Sequence, residues 1–295
     1  MQSPISRRQL LAGGAGSALA LSAGCTGLTP FVGQRLMTTL SLSADEIDRL
    51  GIVGRIGSIT VTGEDREDID VEVVKQASSL RTNLDDLSVE TTVTDGRLEI
   101  RGEFDGETGW MEGEPSLDLD IRIPSTIAVE RVQNVVGQAT VRNVVGDMSI
   151  ESSTGAIDIT DVEGSVDAKS TTGSISISEV SGTVTAQATT GRIEVRHLGK
   201  TGDMSTTTGR IEVHVPSIEG DTSISSQTGR IDAAISPTLD AEISAASNTG
   251  GVTEEGLPLD DVSKGTRSLD GRLGEGGPTL SLNSQTGRIS LSSLD

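Results

Sequence analysis

From Gly137 onward the chain alternates apolar and polar residues in short runs, and the runs return every nine residues, with glycine at 137, 146, 155, 164, 173, 182 and 191. Alternation with period two marks a half-buried strand. Two kinds of unit take turns: Gly155-Ala156-Ile157-Asp158-Ile159 is followed by Gly164-Ser165-Val166-Asp167-Ala168, which closes on Thr171-Thr172. Together they make an 18-residue coil, and a fixed period of this kind predicts a parallel β-solenoid. The Thr-Gly step recurs at Gly155, Gly173, Gly191 and Gly209, then at wider intervals at Gly229, Gly250 and Gly287, where loops or insertions must absorb the extra residues.

One phase of the period is aliphatic throughout. Ile157, Ile175, Ile193, Ile211 and Ile231 are expected in one buried row, with Ile159, Ile177, Val195, Val213 and Ala233 in a second. Stacking at ~4.8 Å per coil would build the core from like residues, since no coil can bury its own face alone. Ala168 and Ala186 in the alternate unit would let the two sheets approach closely.

The stretch 41–130 uses the same words less regularly: Gly57-Ser58-Ile59-Thr60-Val61, Gly96-Arg97-Leu98-Glu99-Ile100, and Leu117 to Ile123 ended by Pro124. It is expected to share the architecture with longer loops, the one from Glu103 to Glu114 exposing Trp110. The organisation read from the sequence is therefore a signal peptide over 1–24, a strand-free tether over 25–40, an irregular β lobe over 41–130 and regular coils over 131–295.

The first residues carry an address. Arg7 and Arg8 precede an uncharged, mildly apolar run from Leu10 to Ala23, too short and too rich in Gly and Ala to span a bilayer stably. A twin arginine before a weak apolar region points to the export route that carries folded proteins, although Leu10 stands where that motif usually has Phe. Cys25, the sole cysteine, follows Leu21-Ser22-Ala23-Gly24 in the manner of a lipoprotein box, with Ser22 where Leu is usual. It is the candidate lipidation site.

Composition removes several functions. Of 295 residues two are Phe, one is Trp and none is Tyr, so stacking platforms for bases or sugars are scarce. A formal net charge of −21 opposes binding to nucleic acid or anionic headgroups, and removal of residues 1–24 would deepen it by two. Acids dispersed along the whole chain resemble the salt-adapted surfaces of halophile proteins. One cysteine and two histidines exclude an intrachain disulfide and a zinc finger.

The spaced TGxIxI units, the segment Leu117-Asp118-Leu119-Asp120-Ile121-Arg122-Ile123-Pro124 and the closing stretch from Gly276 to Leu291 resemble the adhesin-like family of β-strand repeat proteins. The resemblance covers about residues 41 to 295. It implies a right-handed β-solenoid displayed on the cell envelope, and it brings no catalytic residues.

The chemistry that remains is on the outside. Arg192, Arg210 and Arg230 stand two residues before Glu194, Glu212 and Asp232, so each Arg has an acid on its own strand face and the ladder is read as self-compensated rather than as a strip for a polyanion. Thr172, Thr190, Thr208 and Thr228 form a second ladder, whose hydroxyls are expected to bond between coils. His197 and His214 fall in neighbouring coils, as a two-ligand metal pair or as plain surface histidines, and the second reading is adopted. The turns hold Ser and Thr where calcium-binding nonapeptide rolls need Asp. A carbohydrate-cleaving solenoid would need carboxylates on neighbouring coils beside stacking rings, and no aromatic cluster accompanies the acids.

The reading is a non-catalytic, lipid-anchored, adhesin-like or scaffold protein on the outer face of the cytoplasmic membrane, without cofactor or metal. Its expected partners are the membrane through the lipid, and envelope glycans or surface proteins. The alternatives are a polysaccharide-binding or polysaccharide-cleaving β-helix protein and an envelope-stress structural lipoprotein.

Overall fold

The structure, a computed structural model, describes residues 33–78, 83–106 and 115–294; Arg7, Arg8, Cys25 and Trp110 lie outside the described residues. Twenty-three strands and one 3₁₀ turn, Leu84–Asp86, make up the described part. The strands form two stacks of parallel strands, each coil giving one strand to each stack. Strands Met148–Thr154 and Val166–Thr172 belong to one stack. Strands Ala139–Val145 and Ile157–Glu163 belong to the other. Long strands Ile175–Thr190 and Ile193–Thr208 run through both.

The predicted rows are there. Ile157, Ile175, Ile193, Ile211 and Ile231 are mutually in register and wholly buried, and Ile289 extends the row. Ala168 and Ala186 are in register and fully buried in the facing stack. Such a core needs no rings, because each aliphatic side chain packs on its own copy one coil away.

A column of glycines sets the corner between the two stacks. Gly191 lies at φ +155°, and a Cβ there would sit 1.8 Å from the carbonyl oxygen of Gly173. Only glycine admits that approach. The opposite corner uses αL residues that are not glycine: Asn143, Asp161, Glu179 and His197 hold φ between 50° and 60°. The Asn143 side-chain amide answers by donating to the carbonyl of Gly63 at 2.6 Å.

Both ends of the stack depart from sequence order. Strand Arg49–Ile56 is flanked by Arg97–Phe104 and Ala128–Val136, and Ile59–Glu64 by Pro115–Pro124 and Ala139–Val145. The first coil is thus sandwiched between later ones. At the other end Thr279–Thr286 sits between Thr222–Thr228 and Ala241–Thr249, while Ile289–Ser293 sits between Ile231–Ile235 and Val252–Glu255. The closing coil is inserted inside the stack.

Antiparallel strands then finish the ends, contrary to a uniform coil pattern over 41–130. Leu87–Thr94 pairs antiparallel with Arg97–Phe104. Asp68–Ala77 pairs antiparallel with Pro115–Pro124 and with Gln34–Ser43. At the far end Ser268–Leu273 joins Ala241–Thr249 to Leu259–Lys264. The expectation of a strand-free tether to residue 40 is therefore corrected: residues 34–40 lie in a strand, which an outer sheet edge recruits through main-chain hydrogen bonds even where the alternation is poor. Leu36 and Met37 stay about half exposed on it, which is why the apolar pattern did not mark it. The loop expected over 103–114 also begins later, since Glu103 and Phe104 end a strand.

Candidate functional site

The strands of the first stack carry a short polar residue or alanine inward just before the glycine turn: Asn134, Ser152, Ser170, Ala188, Thr206, Ser226, Ser284 and Ser247, all at least nine-tenths buried. The residues on either side of it point out. Repeated over the coils, this leaves a trough of about 1140 Å³ along the stack, from Arg101 and Gly102 at one end to Asn248 at the other. At ~4.8 Å per coil its length is roughly 40 Å.

The two rims are ladders. One runs Gln133, Glu151, Lys169, Gln187, Ser205, Ser225 and Asn283, mutually in register. The other runs Ser153, Thr171, Thr189, Thr207, Gln227 and Gln285. Charge is confined to the N-terminal half, in Arg55, Arg101, Glu103, Glu151 and Lys169; from Gln187 onward the lining is neutral. Gln133 donates to Glu151 at 2.7 Å, and Lys169 pairs with Asp167 at 2.8 Å, so the charges present are largely engaged within the protein. The Asp167 partnership, by hydrogen bond and then by charge, raises the Lys169 pKa above its ordinary value.

The floor is polar and partly unsatisfied. Ser284 and Ser247 donate to the carbonyls of Gly229 and Gly287 at 3.2 and 2.8 Å, and Asn134 donates to that of Gly57 at 2.8 Å. The hydroxyls of Ser152, Ser170 and Thr206 have no hydrogen-bond partner among the described residues.

Sequence reasoning singled out the threonine next to each turn and missed the residue before it, which forms a rim. The signal was present, since Ser-Thr-Gly, Thr-Thr-Gly and Gln-Thr-Gly keep a neutral polar residue at that phase. The expectation for Thr172, Thr190, Thr208 and Thr228 is corrected: their side chains are exposed, and the coils are joined there by main-chain bonds. Gly155 N–H donates to the Thr172 carbonyl at 2.9 Å and Gly173 N–H to that of Thr190 at 3.0 Å. In the parallel ladder the carbonyl already faces the next coil, so no hydroxyl is required.

On the opposite face the charged ladder is brought together diagonally. Arg192 reaches Glu194 at 3.1 Å and Glu212 of the next coil at 2.6 Å, and Arg210 reaches Asp232 at 2.7 Å. Arg196, which the sequence reading left out, bridges Glu194 at 2.8 Å and also Glu212. Two directly opposed carboxylates, Glu194 and Glu212, are thus held by two shared guanidinium groups. Burial would raise the Glu212 pKa, but hydrogen bonds from Arg192 and Arg196 and their charges outweigh it and hold the carboxyl below its ordinary value. Arg230 makes no ion pair among the described residues.

The histidines meet: the rings of His197 and His214 lie 5.6 Å apart, edge to face. They flank a cavity of about 520 Å³ with Leu198, Pro216, Ala234, Ser292 and Leu294, and among the described residues no carboxylate lines it. Among the described residues no group of three or more His, Cys, Asp and Glu could hold a metal ion. Burial first, then the charges of His197 and Arg196, lower the His214 pKa, against the pull of Glu212.

A family model described as Toastrack DUF4097 matches residues 47–292. The chain belongs to the Toastrack DUF4097 family. No curated protein matches it. Among solved structures, this Toastrack chain is similar to a candidate adhesin from Bacteroides fragilis NCTC 9343, at 17% identity and a TM-score of 0.43, covering 88% of this chain and 97% of that one. It is also similar to a candidate lipid-binding protein from Parabacteroides distasonis ATCC 8503, at 13% identity, a TM-score of 0.44 and coverage of 88% and 97%. A candidate cell-adhesion protein from Clostridium sporogenes ATCC 15579 follows at 9% identity and a TM-score of 0.32, with coverage of 88% and 100%.

Proposed function

We propose that this Toastrack protein is a non-catalytic, adhesin-like binding or scaffold module, exported through its twin-arginine signal and held by a lipid on Cys25 at the outer face of the cytoplasmic membrane. The observation that carries the reading is the trough: a long surface of hydroxyl and amide groups repeated coil after coil, suited to contact along a partner's length. Its rims supply repeated recognition groups, and the two histidines face a different cavity. Partners reached from the envelope are glycans or surface proteins; the net charge disfavours nucleic acid.

The test is cell fractionation combined with an envelope-binding assay. Wild type is expected in the membrane fraction and Cys25→Ser in the medium, while the purified protein adheres to isolated envelopes and releases no reducing sugar from them. Membrane retention of Cys25→Ser removes the lipid anchor from the reading. Release of sugar fragments replaces the binding module with an enzyme.

A further inference from the structure

We propose that the neutral half of the trough, from Gln187 to Gln285, binds an uncharged linear polysaccharide whose chain crosses the coils. This rests on reading the protein as a surface binding module, and it specifies what that module takes.

Charge speaks first. On a chain of net charge −21, five successive coil levels line the trough without one ionised group. A polyanion would be repelled by the surrounding field, and a polycation would find no carboxylate in that half to pair with. What the rims offer is paired donors and acceptors: the amides of Gln187, Gln227 and Gln285 and the hydroxyls of Thr189, Thr207 and Ser225. A partner covered in hydroxyls satisfies both kinds of group.

Spacing speaks next. Gln187, Ser205, Ser225 and Asn283 are in register on adjacent strands, so equivalent groups recur at ~4.8 Å. An extended peptide rises ~3.3 Å per residue and returns to the same face only after ~6.6 Å, so its side chains fall out of step with the rims within a few coils. A pyranose chain carries hydroxyls on both edges of every ring, so each ring offers donors and acceptors to both rims whichever way it is turned.

The floor is closed to the partner. Thr206 is 4% exposed, and its hydroxyl has no partner among the described residues, whereas the equivalent Ser284 hydroxyl bonds to a glycine carbonyl. That hydroxyl is sealed from solvent beneath the rims, so recognition falls to the rim amides and hydroxyls. With no aromatic ring among the described residues of the lining, each sugar unit contributes little, so affinity must accumulate along the chain.

The experiment is calorimetric titration of the full-length protein with neutral disaccharides and hexasaccharides of β-1,4-glucan, β-1,4-xylan, β-1,4-mannan and α-1,4-glucan, alongside hexagalacturonate and an extended hexa-asparagine peptide. At least one neutral hexasaccharide should bind ten times or more tightly than its disaccharide. The combined variant Gln187→Ala/Thr207→Ala/Gln227→Ala should weaken it tenfold or more with an unchanged melting temperature; the single variants serve if that one fails to fold. Hexagalacturonate or the peptide binding more tightly overturns the assignment, as does a variant that binds like wild type. Envelope adhesion without binding of any neutral hexasaccharide overturns the polysaccharide while leaving the module reading intact; loss of envelope adhesion as well removes both.

Discussion

Gly287 rests on Gly229: a Cβ on Gly287 would lie 1.7 Å from the Gly229 carbonyl oxygen, and Gly229 in turn donates its N–H to Thr286 at 2.8 Å. The two glycines are neighbours in the column although the coil at Ala241–Thr249 comes between them in the chain. Gly229 itself allows no side chain, since a Cβ would fall 1.6 Å from the Gly209 carbonyl. Gly229→Ala is therefore expected to cost more than about 3 kcal/mol, because relief requires parting two coils. Gly220, with nothing within 4 Å of its Cβ position, is the control, and Gly220→Ala should be neutral or stabilising by up to ~1 kcal/mol. Urea unfolding of the two variants measures the contrast.

The aliphatic row gives the second prediction. Ile193 is fully buried between Ile175 and Ile211, so Ile193→Asp places a carboxylate among apolar side chains with no cation to meet it. The cost exceeds most of a typical total stability of ~5–15 kcal/mol, and the variant should fail to fold. Ile193→Val removes one methylene and should cost roughly 1 kcal/mol. Circular dichroism with denaturant titration distinguishes the two.

Acid should act in two steps. The folded state holds the His214 pKa below its ordinary 6.5, so the unfolded chain binds the proton more readily; stability is complete above that pH and declines as pH falls through the lowered folded value. Glu212, held below 4.5, and Asp70, held below 3.8 first by the Arg66 hydrogen bond and then by that of Ser41, extend the decline at lower pH. His214→Gln should flatten the melting temperature between pH 6.5 and 5 and leave the steeper acid limb in place. Thermal melts across that range check it.

Salt should stabilise. Carboxylates on adjacent coils lie within the ~10 Å screening length at 0.1 M, and molar salt shortens that length to ~3 Å. The melting temperature of the full-length protein should rise between 0.1 and 2 M KCl, since pairs such as Arg210 with Asp232 tie down only part of the acids. A sucrose series at matched osmolality separates screening from general solute exclusion. A flat KCl series would show that the acids are locally compensated.

The regular coils were legible because their physics is local. Ile157, Ile175 and Ile193 announce a row by phase alone, and the row is there. Coil order at the ends was not legible from spacing, which shows that a unit repeats without showing beside which unit it lies. A weaker signal did exist: Leu291 pairs with Glu254, where inner coils place an aliphatic residue, and an acid at that position suits a coil with only one neighbour. The trough was hidden for a different reason. Polar outward residues look alike in sequence, and only the buried small residues Ser170, Ala188 and Thr206 turn them into two rims with a floor.

The tucked coil of Thr279–Ser293 makes the stack a clasp that this one segment fastens. Until Thr279–Ser293 has left the ribosome, Thr222–Thr228 and Ala241–Thr249 face each other across a missing strand, each with an unpaired main-chain edge. Such an edge is a template for another chain's strand. A copy lacking that segment is therefore sticky along a slot two sheets deep, and the segment seals it. Synthesis of Thr279–Ser293 is then the step that joins the two halves of the stack, readable at a single seam.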